Sequence, residues 1–236
     1  MKLIETKQDM NYDGISITTE GNLVPVTTVT LGSKSKPIFF EHNILLWRDT
    51  QVEIAPKILK GAGKRTFAGL PVMLLQAQGN GKIALSRDGA GQIIYLELQS
   101  GEQLDVREYQ FLFATESVEY WYERVKGVSS LLLGGSGFFI DSFTGPGIIA
   151  LHVYGNVFEK ILQADEQIDV EAGAFLYKEA SVKGEKVNLG VKTGLLAGSN
   201  VSLNRFTGPG KLGIQSMTFH LMSDPKGGGF GADFAF

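Results

Sequence analysis

The pentapeptide Phe-Thr-Gly-Pro-Gly occurs twice in this chain, as Phe143, Thr144, Gly145, Pro146, Gly147 and as Phe206, Thr207, Gly208, Pro209, Gly210, at a spacing of 63 residues. Extending that spacing upstream aligns residues 127–147 with 190–210, and 11 of the 21 positions are identical. A more diverged copy precedes both. Gly61, Gly69, Gly79 and Gly81 fall on Gly127, Gly135, Gly145 and Gly147 at a spacing of 66. The segments GEQLDV and DEQIDV, with PIFFE in the same place upstream, carry the pattern through the other half of each copy. Self-similarity at a fixed spacing constrains a fold more than any single motif, because each unit must bury its apolar face against the next.

The units read as strands. The segments VTTVTL, KIALS, QIIYLEL and IIALHVY are short, rich in β-branched or aromatic residues, and bounded by Gly, Asn, Asp or Ser. No window of 12 or more residues holds a clean helical period. The expected fold is all-β: three tandem sandwich-like units of about 65 residues, over 22–86, 87–152 and 153–216, related by a pseudo-threefold. A C-terminal strand and a Gly/Phe-rich tail are expected over 217–236. Proline fixes φ and glycine admits positive φ, so Phe-Thr-Gly-Pro-Gly is expected to turn tightly between two strands. A unit of 65 residues buries only about 60% of its surface alone. A row of such units leaves two exposed edges, and closing it against other copies in a cyclic homo-oligomer is the expected solution.

Composition limits the chemistry. The chain has 236 residues and no Cys, so thiolate zinc sites, iron–sulfur clusters, redox dithiols and cysteine nucleophiles are excluded. Its 22 basic and 25 acidic residues give a net charge of −3, which argues against a surface built throughout for DNA. No apolar stretch suits a signal peptide or a spanning helix, and a cytoplasmic protein without a transmembrane segment is expected. His42, His152 and His220 are far apart and form no His-x-His or His-x-Asp motif, so neither metal nor cofactor is expected. His152 is expected on a strand face, satisfied or exposed. Ser136, in GGSGFF, reads as a turn serine rather than a nucleophile. Asp165, Glu166, Asp169 and Glu171 have counterparts in Glu102 and Asp105, and such recurrence reads as a solvated strand edge rather than an acid/base pair. No catalytic set emerges.

One stretch carries charge of a single sign. Between Ile54 and Ser86 stand Lys57, Lys60, Lys64, Arg65 and Lys82 with no acidic residue, and Lys57, Lys60, Lys64 and Arg65 form a candidate anion patch. GAGKRT within it lacks the first glycine and the hydroxyl residue of a phosphate loop. The tail carries Phe230, Phe234 and Phe236, which are expected to dock on this subunit or a neighbour.

The two Phe-Thr-Gly-Pro-Gly turns following GLLAGS and SLLLGGS, the segment DEQIDVEAGAFLY and the triplicated layout resemble the bacterial family related to the mitochondrial-biogenesis protein altered inheritance of mitochondria twenty-four. The resemblance runs from about Asp13 to Met222. It implies a fold similar to that of the trp RNA-binding attenuation protein, of double-stranded β-helix type, with three units per chain and a homotrimer forming a nine-unit ring. The family has no agreed activity, and its mitochondrial members are linked to inner-membrane organisation. The expected function is therefore that of a non-enzymatic, ring-forming scaffold or binding protein, with peripheral membrane contact left open. A small-molecule or RNA-binding ring is the alternative.

Overall fold

The structure, a computed structural model, describes residues 1–59, 73–124, 139–187 and 203–218. These residues form 21 strands and two single 3-10 turns, with no α-helix among them. The first four strands are β1 (Lys2–Ile4), β2 (Asp9–Tyr12), β3 (Ile15–Glu20) and β4 (Val26–Leu31). Five follow as β5 (Ile38–Phe40), β6 (Leu45–Arg48), β7 (Val52–Ile58), β8 (Met73–Gly79) and β9 (Gly81–Leu85). The middle of the chain gives β10 (Gly91–Leu98), β11 (Gln103–Arg107), β12 (Phe111–Thr115), β13 (Glu119–Arg124), β14 (Phe139–Thr144) and β15 (Gly147–Tyr154). The last six are β16 (Val157–Leu162), β17 (Gln167–Glu171), β18 (Phe175–Glu179), β19 (Lys183–Val187), β20 (Leu203–Thr207) and β21 (Gly210–Gln215). The chain is thus all-β, and every strand pairing is antiparallel.

One pairing order occurs three times. The trios β4-β9-β6, β10-β15-β12 and β16-β21-β18 each share an apolar core with a second trio, β5-β8-β7, β11-β14-β13 and β17-β20-β19. Sheets do not stop at the ends of these sets. Strand β12 pairs with β5, placing Phe113 opposite Phe40, and β18 pairs with β11, placing Tyr177 opposite Val106. A trio of each later set therefore continues a trio of the set before it, giving sheets of six and seven strands. The six-stranded sheet lies between two apolar cores: Phe40, Leu112 and Phe113 enter one, and Phe39, Phe111 and Leu151 enter the other. Phe175, Phe206 and Leu212 lie in a smaller third core.

Local chemistry repeats with the pairing. Each of the strands β6, β12 and β18 carries a bulge at its second residue, which sets an aromatic side chain opposite a small residue: Trp47 on Ala84, Phe113 on Ala150 and Tyr177 on Gly213. A side-chain oxygen at the end of each of these strands, from Asp49, Thr115 or Glu179, accepts a hydrogen bond from the backbone N–H of Lys82, Ile148 or Lys211 at 2.8–3.0 Å. That bond ties down the strand that leaves the glycine-rich turn.

Within the Phe-Thr-Gly-Pro-Gly turns the two glycines have different duties. Gly147 and Gly210 hold φ of +148° and +136°, which side-chain-bearing residues rarely adopt. Gly145 and Gly208 precede cis-prolines and instead allow close approach: an added Cβ would lie 2.3 Å from the carbonyl oxygen of Gln99 or Gln163. Gly145→Ala and Gly208→Ala are each expected to cost about 1–3 kcal/mol through overpacking. Gly101→Ala, with φ +79° and open space around it, is expected to cost about 1 kcal/mol from backbone strain alone. Urea denaturation ranks the three, and equal costs would contradict the assignment.

Candidate functional site

Among the described residues, those singled out from sequence do not converge on a catalytic centre. His42 is exposed in a 3-10 turn, whereas His152 is fully buried on β15. His220, Ser136, Lys60, Lys64, Arg65 and the three tail phenylalanines lie outside the described residues. Lys57, the remaining member of the proposed anion patch, is half-buried with its Nζ 4.4 Å from the centre of the Phe39 ring. Burial lowers its pKa, and Glu116 opposes that effect. Among the described residues no group of three His, Asp or Glu is placed to hold a metal.

The recurrent acids serve the turns and ladders. Glu102 and Glu166 accept backbone N–H bonds from Gln99 and Gln163 at 2.9 Å, closing the tight bends that lead into β11 and β17. Asp169 holds Arg205 with two hydrogen bonds, and this pairing lowers the carboxyl pKa. Asp105 departs from the solvated edge expected of it. It is mostly buried where β11 meets β18, and it accepts from Lys178 Nζ at 2.8 Å and from Ser142 Oγ at 2.7 Å.

Two features stand out: the exposed edges expected of a row of units, now assigned to particular strands, and a buried polar group that the sequence did not indicate. The first is the pair of strand edges left at the ends of the row of sets. Among the described residues, strand β6 has no partner beyond β9, and β17 has none beyond β20. Their counterparts are paired on both sides, and exposure follows. Leu112, Phe113 and Leu176 are 0% exposed and Tyr177 is 1% exposed, whereas Leu46 and Trp47 in the same places on β6 are 55% and 47% exposed.

The second feature is a buried polar group where β12 and β15 meet the loop after β9. Phe111 stands opposite Leu151, so Gln110 and His152 are cross-strand neighbours, and the His152 N–H donates to the Gln110 carbonyl at 2.7 Å. Arg87 reaches over them, donating through Nη2 to Glu41 at 2.5 Å and to the Phe111 carbonyl at 2.7 Å. His152 was expected to be satisfied or exposed and is neither. Both its ring nitrogens are buried with no hydrogen-bond partner among the described residues. Strand β15 is buried along its whole length, so it has no wet face on which a polar side chain can be solvated.

Burial, reinforced by the Arg87 charge, lowers the His152 pKa to about 4. The unfolded chain therefore binds the histidine proton first as pH falls, and stability declines from about pH 6.5 towards pH 4. On the order of 3 kcal/mol is at stake across that window. Asp141, buried beside Tyr120 and pushed well above the usual carboxylate range by desolvation, acts in the opposite sense. Comparison of wild type with His152→Phe isolates the histidine contribution. Urea denaturation at pH 7 and pH 4.5 is expected to show a smaller loss in the variant, and identical losses would contradict the buried neutral imidazole.

Among the described residues, antiparallel strand sets joined through shared sheets define the structural class, an all-β protein. The chain belongs to the mitochondrial biogenesis AIM24 family, whose sequence profile matches residues 17–217. It is 26% identical over 171 residues to an uncharacterised protein of Streptococcus pyogenes serotype M6, a match covering 68% of this chain and 65% of the relative. The match thus spans slightly less than two thirds of that relative's length. A crystal structure of a Streptococcus pyogenes protein from a structural genomics programme superposes with a TM-score of 0.69 at 22% identity, over 86% of this chain and 94% of that one. That likeness supports the all-β fold. No helix among the described residues is long and apolar enough to cross a membrane.

Proposed function

We propose that the chain is three tandem units and that copies join head to tail into a closed, non-enzymatic ring, a scaffold presenting the same surface many times. The exposed Leu46 and Trp47 on β6 carry this reading, since their counterparts are buried wherever the preceding strand is present. Applying the register of β12 with β5 and of β18 with β11 to β6 and the β17 of a second copy sets Trp47 opposite Val170 and Arg48 opposite Asp169. The second pairing repeats the charge complement of Lys178 with Asp105 within the chain. Unpaired edges with apolar side chains are a liability that a further strand removes. A heterologous contact of this kind closes into a ring when the rotation per copy divides the circle. Three copies is the number the family resemblance implies. The working mechanism of such a ring is multivalent contact with a partner.

Light scattering on the full chain at micromolar concentration is expected to give a closed multiple of the 25.6 kDa mass, and a monomer would overturn the proposal. Trp47→Asp and Asp169→Arg, both at exposed positions, each spoil one edge and leave the other intact, so either variant alone is expected to be a folded monomer. Mixed in equal amounts, they are expected to form a heterodimer that grows no further. Heterodimers distinguish head-to-tail pairing from a twofold contact, in which mixing restores nothing.

A further inference from the structure

The three sets carry different residues at one structurally equivalent place, and the comparison isolates the middle one. Where β9 ends, Ser86 faces Ile44, and its hydroxyl donates to the Pro25 carbonyl at 2.9 Å. Where β21 ends, Gln215 faces Ala174. Its amide donates to the Gly173 carbonyl at 2.9 Å and accepts from the Tyr154 N–H at 3.3 Å. Both arrangements are closed by the chain itself. Between them, Gln110 and His152 are each 0% exposed, and neither the amide oxygen and nitrogen of the one nor the ring nitrogens of the other have a hydrogen-bond partner among the described residues. Arg87 Nε, above them, is buried in the same state. Leaving buried polar atoms unpaired is destabilising, whereas apolar residues of similar shape incur no such cost. The first and third sets show that this position accommodates self-satisfied alternatives.

We propose that the junction of β12, β15 and the loop after β9 is a binding site for a small uncharged molecule that offers a hydrogen-bond donor beside an acceptor, as a carboxamide does. The donor and acceptor arrangement sets that class. A neutral imidazole supplies one donor and one acceptor, the Gln110 amide supplies both, and Arg87 Nε–H adds a donor. Cross-strand Cβ atoms lie about 5 Å apart, so a group of three or four heavy atoms spans both side chains. A cation is disfavoured by Arg87, and an anion finds no uncompensated positive charge, since Arg87 is already paired with Glu41 at 2.5 Å and Asp88 opposes it at the imidazole. Gly89 covers the histidine: a Cβ there would lie 3.5 Å from His152 Nε2, with the Tyr154 ring set edge-on against the imidazole at 5.0 Å. Entry of the molecule requires displacement of the loop from Arg87 to Gly91, which is tied to the rest of the chain by the Gly91 N–H to Leu23 and Gly155 N–H to Ala90 bonds.

The site is complete within one chain and is expected to persist in the monomeric Trp47→Asp variant, so its failure and the failure of ring assembly are separable. Nitrogen-15 NMR of the His152 ring in the full chain, titrated separately with acetamide, acetate and guanidinium chloride at matched ionic strength, tests it. Acetamide is expected to shift the ring nitrogens saturably, with the other two leaving them in place, and the response is expected to be lost in Gln110→Met. Should that variant fold poorly, the three-probe comparison on wild type decides alone. Ring signals unmoved by acetamide, with a long-lived water detected at the nitrogens, would overturn the proposal in favour of an ordered water only. A response to acetate or guanidinium instead of acetamide would overturn it in favour of a charged ligand.

Discussion

The antiparallel ladder that joins one set of strands to the next is the interaction on which the rest of the structure depends. Without the pairing of β5 with β12 and of β11 with β18, each set would be a pair of three-stranded sheets with one apolar edge in water. Such a unit buries a small fraction of its surface and is marginally stable alone. The ladder does two things at once. It satisfies the backbone groups of both edges, and it brings the outer face of one sheet against the next core, as Phe39 is brought against Phe111 with ring centres 5.8 Å apart. Stability is therefore shared along the row rather than owned by each set.

That sharing explains why equivalent positions diverge without loss of architecture. The bulge, the aromatic residue opposite a small one, and the side-chain cap on the strand leaving the turn recur in every set, because each is demanded by the local backbone. Residues at the junctions vary with their neighbours. Ala114 faces Phe39 at one junction, whereas Lys178 faces Asp105 at the other. The Lys178–Asp105 pair is largely buried, and such pairs return little net stability while penalising wrong registers, so this junction favours specificity over strength.

Much of this was legible in the residues and some was not. Strand β4 occupies the segment VTTVTL residue for residue, and β9, β10 and β15 fall within a residue of their expected bounds, because β-branched runs between turn formers are local signals. The paired glycines were legible as turns, but sequence did not distinguish Gly147, which needs positive φ, from Gly145, which needs space. The ladders between sets were not legible, since strands some 70 residues apart leave no local pattern that specifies their register. Asp105 was misjudged for that reason: a carboxylate on a paired strand looks like one on an open strand until its neighbour is known. His152 was misjudged because an isolated histidine among apolar residues carries no record of its partners. The signal that existed was the change from Ser86 to His152 to Gln215 along the aligned copies, which marks the place where the sets differ most in polar chemistry.

In the proposed ring the edge of β6 and the edge of β17 are covered in solution by the same kind of ladder that joins the sets within the chain. Hydrogen–deuterium exchange on the intact protein measures this at the backbone itself. The outward-facing amides of β6 and β17 are expected to be protected to a degree comparable with those of β12 and β5, which already share such a ladder. Exchange at β6 and β17 as fast as in unstructured chain, with β12 and β5 remaining slow, would contradict it.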